Sequence, residues 1–192
     1  MKIITVPNNV LSFPTKPVVE IDNNIRKIVA DMEKVLIAQD DPPGVGLAAN
    51  QVGLGLSIFI IRPTEKAKTK VFINPKIVKI GQSQSKSVKS VTNSTDSTDS
   101  TDSTKKKRKR VKLEGCLSIP RIWGPVKRTD RVLLNYQDQT GKKYLKWFTG
   151  FEATIIQHEI DHLNGVVFTQ RSIEQKGQIY REEDEELVKI EY

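Results

Sequence analysis

The stretch Phe151-Glu-Ala-Thr-Ile-Ile-Gln-His-Glu-Ile-Asp-His-Leu-Asn164 carries the clearest structural signal in the chain, and Gly165 follows it directly. We predict a helix over these residues that ends at the glycine, since glycine commonly terminates helices. His158 and His162 are four residues apart. Side chains at that spacing share one helix face, so both imidazoles can reach one metal ion. The alternative is an ordinary helix with two polar residues at contact spacing, but the chain has no other histidine.

A catalytic metal site usually takes three protein ligands and leaves one position open to water. Cys116, the only cysteine, suits the third position because a thiolate coordinates zinc or iron strongly. A small buried core residue is the alternative for a free cysteine, and this residue taken alone leaves both open. Glu159 follows the first histidine and can act on a water in such a site. A single cysteine excludes an intrachain disulfide and suggests a reducing compartment.

The chain of 192 residues has a formal net charge of +8, but its basic charge is local. All six residues of Lys105–Arg110 are basic, so the rest of the chain carries only +2. Such a run is usually a solvated segment, and we expect at most weak nucleic-acid binding through it. No apolar run approaches the roughly 18–20 residues of a membrane span, so we expect no membrane partner. The N-terminus also lacks the long apolar stretch of a secretory signal.

Hydrophobic periodicity and turn residues predict the remaining elements. We expect an amphipathic helix over 22–39, a Gly-rich loop at Gly44–Gln51, strands over 56–62 and 71–80, and a hairpin of 131–137 with 143–148. The second strand should break or bend at Pro75. Residues 181–192 form an acidic tail that is either helical or loose. Strands that do not alternate regularly with helices indicate an α+β domain, with mixed or antiparallel strands packed around a central helix that carries the His-Glu-x-x-His motif.

Residues 81–110 differ in composition from the sequence on either side. Ser-Thr-Asp occurs three times in tandem at 94–102, and Val88 and Val91 are the only aliphatic residues in the segment. Such a segment cannot bury enough apolar area to offset the entropy of ordering it, so we predict a disordered insert. The proposed metal ligands lie on both sides of it. The insert therefore interrupts a single catalytic domain spanning 1–192.

Three separated blocks resemble motifs of the peptide deformylase family. They are Gly44-Val-Gly-Leu-Ala-Ala-Asn-Gln51, Glu114-Gly-Cys-Leu-Ser118 and His158-Glu-Ile-Asp-His162, in the family's order. The resemblance covers most of residues 1–173, apart from 81–110. Asn50 departs from the residue often found at its position. His-Glu-x-x-His alone is common among hydrolases, but the three blocks together are highly specific.

The resemblance implies a metal-dependent hydrolase that removes the formyl group from formyl-methionyl peptides and releases formate. Cys116, His158 and His162 would then bind one divalent metal ion, Fe(II) in the cell, with Zn(II), Ni(II) or Co(II) as substitutes. Glu159 would be the general base. The chemistry is consistent with these roles, since a metal-activated water needs a nearby group to take its proton.

The same resemblance implies how the substrate binds. The side-chain amide of Gln51 and the backbone N–H of Leu117 would stabilise the oxyanion. Val45, Gly46 and Leu117 would line the cleft that holds the formylated chain. The substrate would be a nascent chain near the ribosome. Formyl-methionine starts belong to bacteria and bacterial-type organelles. The low-complexity insert favours a plastid-type organelle of a eukaryote, with bacterial cytoplasm as the alternative.

Two other functions fit part of the pattern. A zincin-type metalloprotease shares His-Glu-x-x-His and would take Glu182 or Glu183 as its third ligand, but it does not require Cys116. A basic nucleic-acid-binding module with a structural metal would need a fourth ligand.

Deleting roughly residues 83–108 and closing the gap with a short turn should leave turnover of a small formyl peptide nearly unchanged. The composition of this segment excludes core contacts, and loop length affects closure entropy only weakly. Steady-state kinetics and a thermal melt of the shortened chain test this expectation. A large loss of turnover in a folded variant would show that the insert shapes the site.

Overall fold

The structure is a computed structural model that describes residues 1–81 and 112–191. Three α-helices and nine β-strands follow the chain in these ranges. The helices are α1 (Asn23–Ile37), α2 (Gly150–Leu163) and α3 (Phe168–Glu174). The strands are β1 (Gly46–Ala48), β2 (Ile58–Ile61), β3 (Lys70–Gly81), β4 (Leu113–Cys116), β5 (Ile119–Pro125), β6 (Arg131–Gln137), β7 (Lys143–Thr149), β8 (Tyr180–Glu183) and β9 (Glu186–Lys189). The α+β class predicted from the sequence is confirmed.

The amphipathic helix predicted over 22–39 is α1, two residues shorter at its C-terminal end. Asp22 caps its start, where the carboxylate accepts a hydrogen bond from the backbone N–H of Ile25 at 2.9 Å. This bond satisfies one of the amides that a helix start leaves without an internal partner. The buried face of the helix consists of Ile25, Val29, Met32 and Leu36.

The larger sheet has the strand order β1-β2-β3-β6-β7, and every pairing is antiparallel. The predicted hairpin corresponds to β6 and β7, which pair from Arg131 with Thr149 to Gln137 with Lys143. The pairing of β3 with β6 shifts register between Ile73 and Lys76, next to Pro75. Proline cannot donate to the ladder, so the predicted bend lies at this shift.

The smaller sheet has the order β4-β5-β8-β9, also antiparallel throughout. The prediction of a helical or loose acidic tail was wrong, because residues 180–189 form the β8–β9 hairpin. Asp184 and Glu185 at its tip have φ values of 47° and 66°. A two-residue turn of this kind is typical of β-hairpins. Acidic side chains are compatible with these strands because most of them are exposed.

The helix α2 carries the His-Glu-x-x-His motif and packs against strands of the larger sheet. Ala153, Ile155 and Ile156 of this helix are buried with Phe148 and Val132 of β7 and β6. The segment at 44–51, predicted as a loop, contains the short strand β1 and a 3₁₀ turn over Ala49–Val52. Leu47, Ala48 and Ala49 of this segment are fully buried, which explains why it joins the sheet rather than the surface.

The sequence prediction also missed β4, β5 and α3, and the proposed insert at 81–110 lies almost wholly outside the described residues. Gly81, its first residue, is the last residue of β3. No helix in the described ranges is long and apolar enough to cross a membrane.

Replacing Phe72 with alanine should destabilise the fold by about 3–5 kcal/mol. Phe72 is fully buried and its ring centroid lies 4.6 Å from those of Phe59 and Tyr136. The matched control is Leu145→Ala in the exposed face of β7, where the change should stay within about 0.5 kcal/mol. Urea denaturation followed by circular dichroism measures both. Equal small losses would mean that this aromatic cluster does not stabilise the sheet.

Candidate active site and metal centre

Cys116, His158 and His162 come together although the cysteine and the first histidine are 42 positions apart in the sequence. Their candidate ligand atoms all lie within 4.8 Å of one another, and Sγ of Cys116 is 3.1 Å from Nε2 of His162. Cys116 is the last residue of β4, and both histidines belong to α2. One thiolate and two imidazoles at this spacing fit a divalent transition metal.

The electrostatics of the cluster favour a bound cation. Burial acts to raise the pKa of Cys116, but His162 and His158 outweigh it and hold that pKa well below its usual value. The thiolate is the form that binds metal. Burial likewise acts to lower the pKa of His158, but hydrogen bonds with Cys116 and Glu114 raise it well above its usual value. The groups around the imidazoles are therefore predominantly anionic.

His158 is oriented by Glu114, whose Oε2 lies 3.0 Å from Nδ1 of the imidazole. Burial acts to raise the pKa of Glu114, but Arg128 and His158 outweigh it and lower that pKa. As a carboxylate, Glu114 can only accept hydrogen bonds, so Nδ1 of His158 carries the proton and donates it. This leaves Nε2 of His158 as the atom that can face a metal ion.

Arg128 connects this carboxylate to the helix. Its Nε and Nη2 donate to the two oxygens of Glu114, both at 2.9 Å, and its Nη1 donates to Asp161 at 2.6 Å. Asp161 in turn accepts from Nη2 of Arg171 at 2.9 Å. The bidentate geometry is the strong form of a guanidinium–carboxylate contact. The network therefore fixes β4, which carries the cysteine, relative to α2, which carries the histidines.

The second histidine is positioned differently. His162 is fully buried, and its Nδ1 has no hydrogen-bond partner among the described residues. Asn50 lies beneath it and donates a hydrogen bond from Nδ2 to the backbone carbonyl of His162 at 2.5 Å. Asn50 thus links the 3₁₀ turn that holds Gln51 to the C-terminal end of α2.

Gln51 is held at both ends of its amide. Its Oε1 accepts a hydrogen bond from the backbone N–H of Ala48 at 2.8 Å, and its Nε2 donates to Oγ of Ser118 at 3.1 Å. The same nitrogen lies 3.5 Å from Sγ of Cys116. A buried amide fixed in this way presents a directional donor next to the cluster.

Glu159 is buried, and its Oε2 has no hydrogen-bond partner among the described residues. Burial raises its pKa to about 7, which suits a group that must both take and give a proton near neutral pH. Gly46 lies directly against the other oxygen, since a Cβ at this position would be only 2.2 Å from Oε1 of Glu159. The glycine is therefore required by the space that the carboxylate fills.

These groups face a cleft of about 550 Å³ between β1, β4 and α2. Its lining includes the predicted residues Val45, Gly46, Gln51, Cys116, Leu117, His158 and Glu159. Leu117 lies in the turn between β4 and β5. His162 completes the cluster from the buried side. The structure therefore brings every site residue predicted from the sequence to one place.

The rival third ligands of a zincin lie elsewhere. Glu182 accepts a hydrogen bond from the indole N–H of Trp123 at 2.6 Å, and Glu183 is exposed on β8. Neither carboxylate belongs to the cluster found among the described residues. Sequence reasoning did miss Glu114, Ser118 and Asp161, although all three lie inside the quoted motifs. Arg128 carried no signal that would have distinguished it.

Comparison with known proteins agrees with this geometry. The sequence profile of the polypeptide deformylase family matches residues 1–178. The chain belongs to the polypeptide deformylase family. It is a metallohydrolase that removes the N-terminal formyl group from nascent polypeptides.

Individual relatives show how far the likeness extends. A peptide deformylase of Borreliella burgdorferi is 37% identical over 168 residues, which are 88% of this chain and 85% of that one. The peptide deformylase structure from Synechococcus elongatus superposes with a TM-score of 0.69 at 30% identity, over 88% of this chain and 77% of that one. The structure from Plasmodium falciparum gives 0.70 at 30% identity, over 91% of this chain and 88% of that one.

Glu114→Gln should lower the affinity for a divalent metal about 10- to 100-fold, the usual effect of losing a group that orients a ligand. The neutral amide no longer holds the N–H of His158 as a carboxylate does. Competition between the purified deformylase and a coloured chelator for Co(II) or Zn(II) measures this affinity. Glu152→Gln, which breaks an exposed ion pair with Lys70, is the matched control. Equal affinities would remove Glu114 from the metal centre.

Proposed function

We propose that this deformylase acts through one divalent metal ion bound by Cys116, His158 and His162, with Fe(II) in the cell and Zn(II), Ni(II) or Co(II) as substitutes. The observation that carries the proposal is the convergence of these three side chains within 4.8 Å beside the buried carboxylate of Glu159. When bound, such an ion lowers the pKa of water from about 15.7 toward ~7 and so supplies a nucleophile at neutral pH.

Glu159 is the general base and, later, the general acid. Its pKa of about 7 leaves it able to take a proton from the attacking water and to return it within the same turnover. Addition of the oxygen to the formyl carbon is followed by cleavage of the formyl C–N bond. The proton held on Glu159 passes to the departing amine nitrogen, and the products are formate and a free N-terminus.

Gln51 and the backbone N–H of Leu117 stabilise the negative charge that develops on the formyl oxygen. The Ala48 and Ser118 contacts fix the Gln51 amide before the substrate arrives. A donor fixed in advance does not have to reorganise during the reaction, which is the basis of oxyanion stabilisation. Losing one such donor typically costs about 10²–10³ in turnover.

Val45, Gly46 and Leu117 bind the substrate backbone and the methionine side chain. Val45 and Gly46 come from the β1 wall of the cleft, and Leu117 comes from the end of the β4 wall. Two strand-like walls on opposite sides favour an extended peptide that pairs as an added strand. Glycine at position 46 leaves the space that the Glu159 carboxylate fills, so this wall of the cleft brings the peptide backbone and the carboxylate together.

The substrates are N-formylmethionyl nascent chains, and we expect them to be met near the ribosome. Nucleic-acid binding through Lys105–Arg110 should be weak and sensitive to salt. For the compartment, a plastid-type organelle stays our prediction, with bacterial cytoplasm as the alternative. Imaging of a tagged full-length chain in its own cells tests that prediction.

Formate release from a formyl-Met peptide tests the reaction, and Glu159→Gln tests the mechanism. The variant should retain metal, because Glu159 is not a ligand in the three-ligand site. Its kcat should fall at least 10²–10⁴-fold, the usual contribution of general acid–base catalysis, with little change in KM. Metal content and kinetics should be measured on one preparation, with Glu152→Gln on the same helix as control. A metal-loaded variant running within roughly tenfold of wild type would exclude Glu159 as the base.

A further inference from the structure

Trp123 forms part of the cleft wall close to the reactive end. It lies on β5, and its six-membered ring covers the backbone of Gly115 on the neighbouring strand β4. A Cβ at Gly115 would be 2.7 Å from Cζ3 of the indole and 3.0 Å from Cε3. The indole therefore occupies the space that a side chain at 115 would fill, one residue before Cys116. Both residues line the cleft.

The position of this indole depends on the C-terminal hairpin. Trp123 pairs with Tyr180 across β5 and β8, and its Nε1 donates a hydrogen bond to Oε2 of Glu182 at 2.6 Å. Hydrogen bonds to a carboxylate are shorter and stronger than those between neutral groups. An indole N–H can only donate, so this one carboxylate sets the rotation of the ring.

A substrate that follows β4 away from the metal cluster passes the indole just after its formyl-methionine residue. The formyl group must lie beside Cys116 and Glu159, at the end of β4. A peptide running back along β4 advances about 3.3 Å per residue and passes Gly115 and its covering indole. Lys112 and Leu113 line the same wall further along.

We propose that Trp123 is a specificity-determining residue for the first two residues after the formyl-methionine, and that Glu182 is the positioning residue that holds it. The inference rests on the proposed mode of substrate binding. The indole presents an apolar face to the passing chain, which favours apolar side chains at these positions. The β8–β9 hairpin thereby becomes part of substrate selection, although it contributes nothing to the metal cluster.

The test compares kcat/KM for the tripeptide formyl-Met-Leu-Leu with that for the tripeptide formyl-Met-Gly-Gly, using the full-length, metal-loaded enzyme. In Glu182→Ala the ratio of the two values should fall roughly three- to tenfold, the range of one aromatic contact, through a higher KM for the leucine peptide. Glu183→Ala, in the exposed neighbouring position of the same strand, should keep the wild-type ratio. Thermal melts show whether each variant is folded.

A second pair of variants separates positioning from a general loss of structure. Trp123→Phe should lower the ratio by itself, and Glu182→Ala should have no further effect in that background, since the hydrogen bond no longer exists. Additive effects would overturn the coupling. A wild-type ratio in Glu182→Ala, or an equal loss for both peptides, would overturn the inference. Failure of the wild-type enzyme to release formate from either peptide would refute the proposed function itself, and the inference with it.

Discussion

The buried contact between Arg128 and the carboxylates of Glu114 and Asp161 is the constraint on which the site depends. Only about 10% of each of these side chains is exposed. Such a contact contributes little net stability against an apolar replacement, but removing one partner typically costs about 3–5 kcal/mol because a charge is left unpaired. Its structural effect is to fix the β4 segment at one distance from α2. Cys116 comes from the strand and the histidines come from the helix, so the ligand set exists only while that distance is held.

The sequence predicted those parts of the fold whose signals are local. Helix α1 has its cap at Asp22 and its apolar face at the helical period, so its bounds were close to correct. The β6–β7 hairpin was also predicted correctly, because its two paired strands are neighbours in the sequence. The β8–β9 hairpin was missed because its strands are mostly exposed and acidic, which removes the apolar alternation that identifies a strand. Its pairing with β5 is a long-range contact that no local pattern encodes.

The candidate site divides in the same way. His158, Glu159 and His162 were predicted from helical spacing alone, since chemistry and periodicity coincide in one short segment. Cys116 stayed open until the resemblance to a family placed it, because nothing in one sequence relates a residue of β4 to a helix beyond the insert. Arg128 was missed for the same physical reason. The sequence does not tell a buried arginine from an exposed one. Arg128 differs from the other arginines only through the carboxylates of Glu114 and Asp161 that surround it in the fold.

The environment of Glu159 depends on close packing as well as on hydrogen bonds. Oε2 of Glu159 has no hydrogen-bond partner among the described residues, and burial of the carboxylate raises its pKa to about 7. The opposite oxygen lies so close to Gly46 that no side chain fits there, so the β1 backbone itself forms the wall against the carboxylate. A hydrogen-bond donor in that wall would lower the pKa of Glu159 and weaken it as a base. The contact with the Gly46 backbone therefore preserves the proton affinity that the proposed reaction requires.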